Sequence, residues 1–116
     1  YPTLLDWFGI SAASTAGGHS LLPLIRGEVD RVRDRACAVA DGEEGLRTPA
    51  WSLRRGEQDE IFAKPDDRWE INEVLDRCGQ IPEQLATALA QVREAARTGD
   101  FDPLPPLPEE LEQRLD

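Results

Sequence analysis

The residues that could do chemistry in this chain are few and scattered. His19 stands beside Ser20, a base next to a hydroxyl. Neighbours in sequence do not by themselves aim an imidazole at a hydroxyl, and geometry is the first requirement of a nucleophile and base, so the pair reads as polar loop surface. Asp59, Glu60, Asp66, Asp67, Glu70 and Glu73 supply carboxylate oxygens, which hard cations such as Ca²⁺ collect in sets of about six to eight. Their spacing lacks the regular alternation and the glycine of an EF-hand loop, so a solvated acidic loop is expected. Arg31, Arg33, Arg35 and the pair Arg54-Arg55 could hold an anion, but the carboxylates around them suggest a mixed-charge surface. Trp7, Trp51 and Trp69 could line a ligand pocket; large aromatics more often fill the core of a small domain. Cys37 and Cys78 are too far apart for a CxxC motif, and the one histidine offers no zinc spacing with them. They are expected as two free, buried thiols. On residue types and spacing alone, no metal site and no convincing active site emerge.

The elements that would carry these residues are short. Tyr1 to Ile10, "YPTLLDWFGI", has proline at a helix start, Leu4, Leu5, Trp7 and Phe8 clustered as on a core-facing helix, and Gly9 to stop it. No methionine, leader or polar arm precedes it, and the chain is expected to be a piece of something larger. Ser11 to Gly18 is small and aperiodic, a surface loop. In "HSLLPLIRGE", Ser20 can cap a short helical turn that Pro23 and Gly27 keep from extending. Ala36 to Ala40 is a brief apolar run ending at Asp41-Gly42, a strand entering a turn. "LRTPAWSLRR" reads as a second strand that Pro49 interrupts, suiting an edge or a bulge, and Glu60 to Ala63 as a third, reached through Arg55-Gly56. "KPDDRWEINEVLDRCG" reads as loop, then a helical turn. The clearest element is the helix from Ile81 to Gly99, with Ile81, Leu85, Leu89, Val92 and Ala96 at helical spacing, Pro82 and Glu83 at its start and Arg97 at its end. After it "FDPLPPLP" is stiff and extended, and "EELEQRLD" adds a helical turn or two through Leu111 and Leu115.

The expected fold is therefore α+β: a small antiparallel sheet of three or four short strands packed on a C-terminal helix, over residues 1–99, with a proline-rich tail over 100–116. A chain of 116 residues suits one domain, able to bury roughly two-thirds of its unfolded surface. Its 40% apolar and 31% charged residues are globular values, and no run reaches the length of a membrane span. With a net charge of −10 and a single lysine, Lys64, it has no basic footprint for a phosphate backbone, so nucleic acid is an unlikely partner.

Four segments, in order, resemble the C-terminal end of the sulfatase family of the alkaline-phosphatase-like hydrolases. "YPTLLDWFGI" resembles the family's helix after the last active-site segments, with its Pro-Thr, aliphatic pair, acidic residue and glycine. "GGHSLLPLIRGE" is similar to its Gly-x-Ser-Leu-Leu-Pro-Leu-Leu-x-Gly segment, with Gly17-Gly18 where Asp-Gly is usual. "LRTPAWSLRR" resembles the strand bearing an Arg-Thr pair and an aromatic, and "EIFAKPDDRWEINEV" the strand that ends in an acidic Asp-Pro-x-Glu-x-x-Asn stretch, shifted here by Lys64-Pro65. The likeness covers Tyr1 to about Arg97. It implies a subdomain that packs a sheet and a helix against a large catalytic domain and lines one rim of its cleft for sulfate esters. The family's Cys-x-Pro-Ser-Arg nucleophile, matured to formylglycine, and its Ca²⁺ belong to that larger domain. Cys37 is followed by Ala-Val-Ala and Cys78 by Gly-Gln-Ile, so neither cysteine is that nucleophile. No catalytic or metal residue is expected here; His19 and Arg47 are the candidates for the substrate rim. Two alternatives accompany this reading: a phosphonate or phosphodiester hydrolase subdomain of the same superfamily, and a free-standing acidic interaction module that docks through the Ile81 helix and the proline-rich tail.

Overall fold

The structure is a computed structural model and describes residues 1–11, 18–99 and 104–113. Two short helices come first, α1 (Pro2–Trp7) and α2 (Leu22–Ile25). Four strands follow, β1 (Ala36–Ala40), β2 (Glu43–Arg47), β3 (Trp51–Arg55) and β4 (Asp59–Ala63), then a 3₁₀ turn at Leu75–Arg77, the long helix α3 (Ile81–Thr98) and a single turn α4 (Glu109–Glu112). The strands form one antiparallel sheet in the order β1-β2-β3-β4, a meander in which each strand pairs with its chain neighbour. This is the expected α+β architecture, with four strands.

Turn chemistry explains the meander. Asp41 and Gly42 both have positive φ (50° and 82°), as a two-residue hairpin turn between twisted strands requires. The stretch read as one interrupted strand divides into β2 and β3. Pro49, which has no N–H for a ladder, sits in the turn between them, and Thr48 closes that turn: its N–H donates to the Trp51 carbonyl at 2.9 Å and its Oγ1 accepts from Trp51 N–H at 3.1 Å.

Leu46, Leu53 and Ile61 lie opposite one another across the sheet and present one apolar row. Against it pack Ile81, Leu85, Ala88 and Leu89 of α3, together with Leu107 and Leu111 from the C-terminal segment. Burial continues along α3 to Ala95, while Ala96, expected on this stripe, is exposed. At 3.6 residues per turn the face that starts at Ile81 returns to 95 rather than 96. The helix ends where Gly99 adopts φ 75° and donates its N–H to the Ala95 carbonyl, the left-handed stop its sequence indicates. The C-terminal segment is tied in by the indole N–H of Trp51, which donates to the Glu110 carbonyl at 2.8 Å, and by Ala50 N–H to the Leu111 carbonyl at 3.3 Å. Leu115 and residues 100–103 lie outside the described residues.

Three expectations about burial are corrected. α1 is not a core helix: Leu4, Trp7 and Phe8 are 64%, 65% and 73% exposed, because among the described elements α1 packs against α2 and nothing covers its outer face. Trp69 is exposed on the acidic loop, with the Arg68 guanidinium 5.2 Å from its ring, and only Trp51 joins the core. The cysteines are free, but Cys37 is exposed and Cys78 half-buried.

Candidate functional site

The two rim candidates sit on different parts of the molecule. His19 belongs to the corner where α1 and α2 meet. There Ser20 Oγ donates to Asp6 Oδ2 at 2.6 Å and accepts from Leu22 N–H at 3.2 Å, and Leu21 N–H donates to Thr3 Oγ1 at 3.0 Å. The Ser20 proton is thus committed to a carboxylate rather than to the neighbouring imidazole. His19 borders two surface cavities: one of about 430 Å³ with Asp6, Ile10 and Ser20, and one of about 220 Å³ with Tyr1, Thr3 and Arg33. The second is lined by Arg33 as well as His19, residue types that can bind an anionic group. Arg33 was read from sequence only as mixed-charge surface; the fold brings it to His19 by returning the chain past α1.

Arg47 ends β2 on the sheet face turned away from α3, in the row Arg47, Ser52, Phe62. Its Nε donates to the Thr48 carbonyl at 3.0 Å. Neither cavity bordered by His19 includes Arg47, so the structure does not join the two candidates in one site.

The same sheet face carries a polar network built by the acidic loop. Lys64, 3% exposed, donates to the Asp67 carbonyl at 2.8 Å and lies 3.2 Å from Glu70 Oε1. Glu70 also accepts from Ser52 Oγ at 3.2 Å and from Arg54 at 2.9 Å, and Arg54 in turn pairs with Glu60 at 3.0 Å and lies 5.8 Å from the Phe62 ring centroid. Burial alone would raise the Glu70 carboxyl, but Lys64, Ser52 and Arg54 outweigh it and hold the group below its ordinary range. Glu70 is one of two non-glycine residues at positive φ (56°) among the described residues, a conformation its three partners maintain. Asp67 accepts from the N–H groups of Ile71 at 3.0 Å and Asn72 at 2.9 Å, and these bonds lower its carboxyl. Glu73 Oε1 accepts from Ile61 N–H at 3.0 Å and from Leu75 N–H.

Carboxylates that looked like a possible cation cluster are therefore distributed over backbone and cationic partners, and among the described residues no group of three or more His, Cys, Asp or Glu converges as a metal site. The arginines behave similarly. Arg55 pairs with Asp59 and Arg31 with Glu112. Arg35 is buried: its guanidinium bonds Asp34, the Gln91 side chain at 2.9 Å and the Pro105 carbonyl, tying the start of β1 to α3 and to the C-terminal segment. Nothing in the alternating charges around it signals that burial.

No helix among the described residues is long and apolar enough to cross a membrane. No protein-family model matches the chain, and no curated protein matches it.

Proposed function

We propose that this chain is the C-terminal subdomain of a sulfatase-like hydrolase of sulfate esters. It contributes no nucleophile. It packs against the parent's catalytic domain, where calcium and formylglycine reside, and reaches the substrate cleft through His19, alongside Arg33; Arg47, on a different part of the molecule, is a second, separate rim candidate. One observation carries the reading: the segments "YPTLLDWFGI" and "GGHSLLPLIRGE", which resemble consecutive pieces of the family, form α1 and α2, lie against each other, and expose Leu4, Trp7, Phe8, Ile10, Leu24 and Ile25. Exposed apolar surface concentrated on one corner marks a contact with another body. The sheet with α3 on one face agrees with the architecture the resemblance implies.

Reading the gene upstream of the Tyr1 codon tests this. A Cys-x-Pro-Ser-Arg or Ser-x-Pro-x-Arg segment, in frame a few hundred codons before it, is the expected result. Translation starting immediately before Tyr1 would overturn the reading and favour a free-standing interaction module.

A further inference from the structure

The two edges of the sheet are treated differently, and the difference points to a partner. At the β4 edge, the N–H of Ile61 is taken by the Glu73 carboxylate at 3.0 Å, the Ile61 carbonyl accepts from Val74 N–H at 2.9 Å, and Phe62 bridges to Glu73. That edge is closed. At the other edge stands β1, Ala-Cys-Ala-Val-Ala, with no charged residue, no proline and four of its five positions exposed, Val39 at 70%. Folded proteins ordinarily guard a free edge with lysine, proline or a bulge, because its unpaired N–H and C=O groups template another strand.

The hairpin geometry says which groups are offered. With a two-residue turn at Asp41-Gly42, Ala40 and Glu43 form a hydrogen-bonded pair and the pattern alternates back along the strand. Ala36, Ala38 and Ala40 turn their backbone groups toward β2; Cys37 and Val39 turn theirs outward.

We propose that β1 joins two copies of this chain by antiparallel pairing about a two-fold axis at Ala38, making one continuous eight-stranded sheet. In that register all five residues are matched: Ala36 faces the partner's Ala40, Cys37 the partner's Val39, and Ala38 its own counterpart. Each outward N–H and C=O of Cys37 and Val39 meets its complement, so four hydrogen bonds form. The strand is self-complementary in size, with alanines meeting on the face away from α3, and cysteine meeting valine on the other. The strand also carries no charge, so two chains of net charge −10 can touch there without apposing like charges. The strip is short, so the association is concentration-dependent. This inference concerns the sheet edge and is independent of the α1–α2 face.

Sedimentation velocity and oxidative cross-linking test it. Ala38→Cys in a Cys37→Ser, Cys78→Ser background should form an intermolecular disulfide under mild oxidation, since non-hydrogen-bonded antiparallel partners bring their Cα atoms to about 4.5 Å. Val39→Pro removes only an outward N–H, so far-UV circular dichroism should stay unchanged while dimerisation weakens about tenfold or more. Trp7→Glu, on the α1 face, should leave this dimer intact. A chain that stays monomeric at every concentration overturns the proposal. So does a dimer that ignores Val39→Pro, or that dissolves with Trp7→Glu.

Discussion

Glu70 is predicted to stabilise the fold chiefly by neutralising the buried Lys64 ammonium, and a double-mutant cycle isolates that role. The Lys64 side chain is 3% exposed and Glu70 29%, with Nζ and Oε1 3.2 Å apart. At an effective dielectric of about 20, that separation corresponds to a gross attraction of roughly 5 kcal/mol. Part is screened by water reaching Glu70, and Lys64 keeps its bond to the Asp67 carbonyl. Glu70→Ala should therefore cost about 2–3 kcal/mol, most of it the penalty of an uncompensated buried cation. Lys64→Met replaces the ammonium by a side chain of similar length with nothing to solvate, and should cost less than about 1.5 kcal/mol. In that background Glu70→Ala should add little, giving a coupling energy of about 2 kcal/mol. The intrinsic cost of alanine at the left-handed Glu70 backbone, φ 56°, enters both Glu70→Ala legs of the cycle and cancels in the coupling energy. Urea unfolding followed by tryptophan fluorescence and circular dichroism gives the four stabilities. If Glu70→Ala costs the same with and without Lys64, the cation is not what Glu70 serves and the reasoning fails.

Leu89, fully buried against the sheet, should lose about 2–5 kcal/mol on Leu89→Ala, measured in the same unfolding assay. Trp7→Glu, at a site 65% exposed, should change stability by no more than about 0.5 kcal/mol and reduce apolar dye binding to the isolated chain. Acid should destabilise the fold. Asp34 is held below its ordinary range first by the hydrogen bond from Arg35, and Glu70 by cationic partners that outweigh its burial. A carboxyl depressed in the folded state contributes stability above its unfolded pKa, and that contribution disappears as pH falls through the folded value. Urea midpoints should therefore be level near neutrality and drop below about pH 4; Arg35→Met should remove the part belonging to Asp34.

Elements governed by local chemistry were legible in the sequence. Asp41-Gly42 located the first hairpin, the span of β1 followed from its uncharged run, and Pro82, Glu83, Arg97 and Gly99 bracketed α3. What escaped depends on contacts distant in sequence. Glu43 and Glu44 are strand residues that look like loop, because Glu44 gains its partner only when α3 brings Arg93 over the sheet. Arg35 reads as surface charge and is buried by groups 56 and 70 positions away. Leu107 and Leu111, in a segment that sequence sets apart as tail, complete the core. His19 was singled out by type, whereas Arg33, which lines a cavity with it, needed the fold, and Arg47 lies on the sheet face away from α3, outside the cavities that His19 borders. α1 misled for the opposite reason: its apolar pattern is genuine, but no described element covers its outer face.

Hydrolysis of an aryl sulfate by the gene's full-length product, co-produced with a formylglycine-generating enzyme, tests the central claim most directly. The account predicts release of the phenol, abolished by substituting the upstream cysteine, and weakened through KM by His19→Ala or Arg33→Ala with the chain's fold intact. A full-length product that cleaves no sulfate ester, or whose activity survives complete removal of residues 1–116, would contradict it.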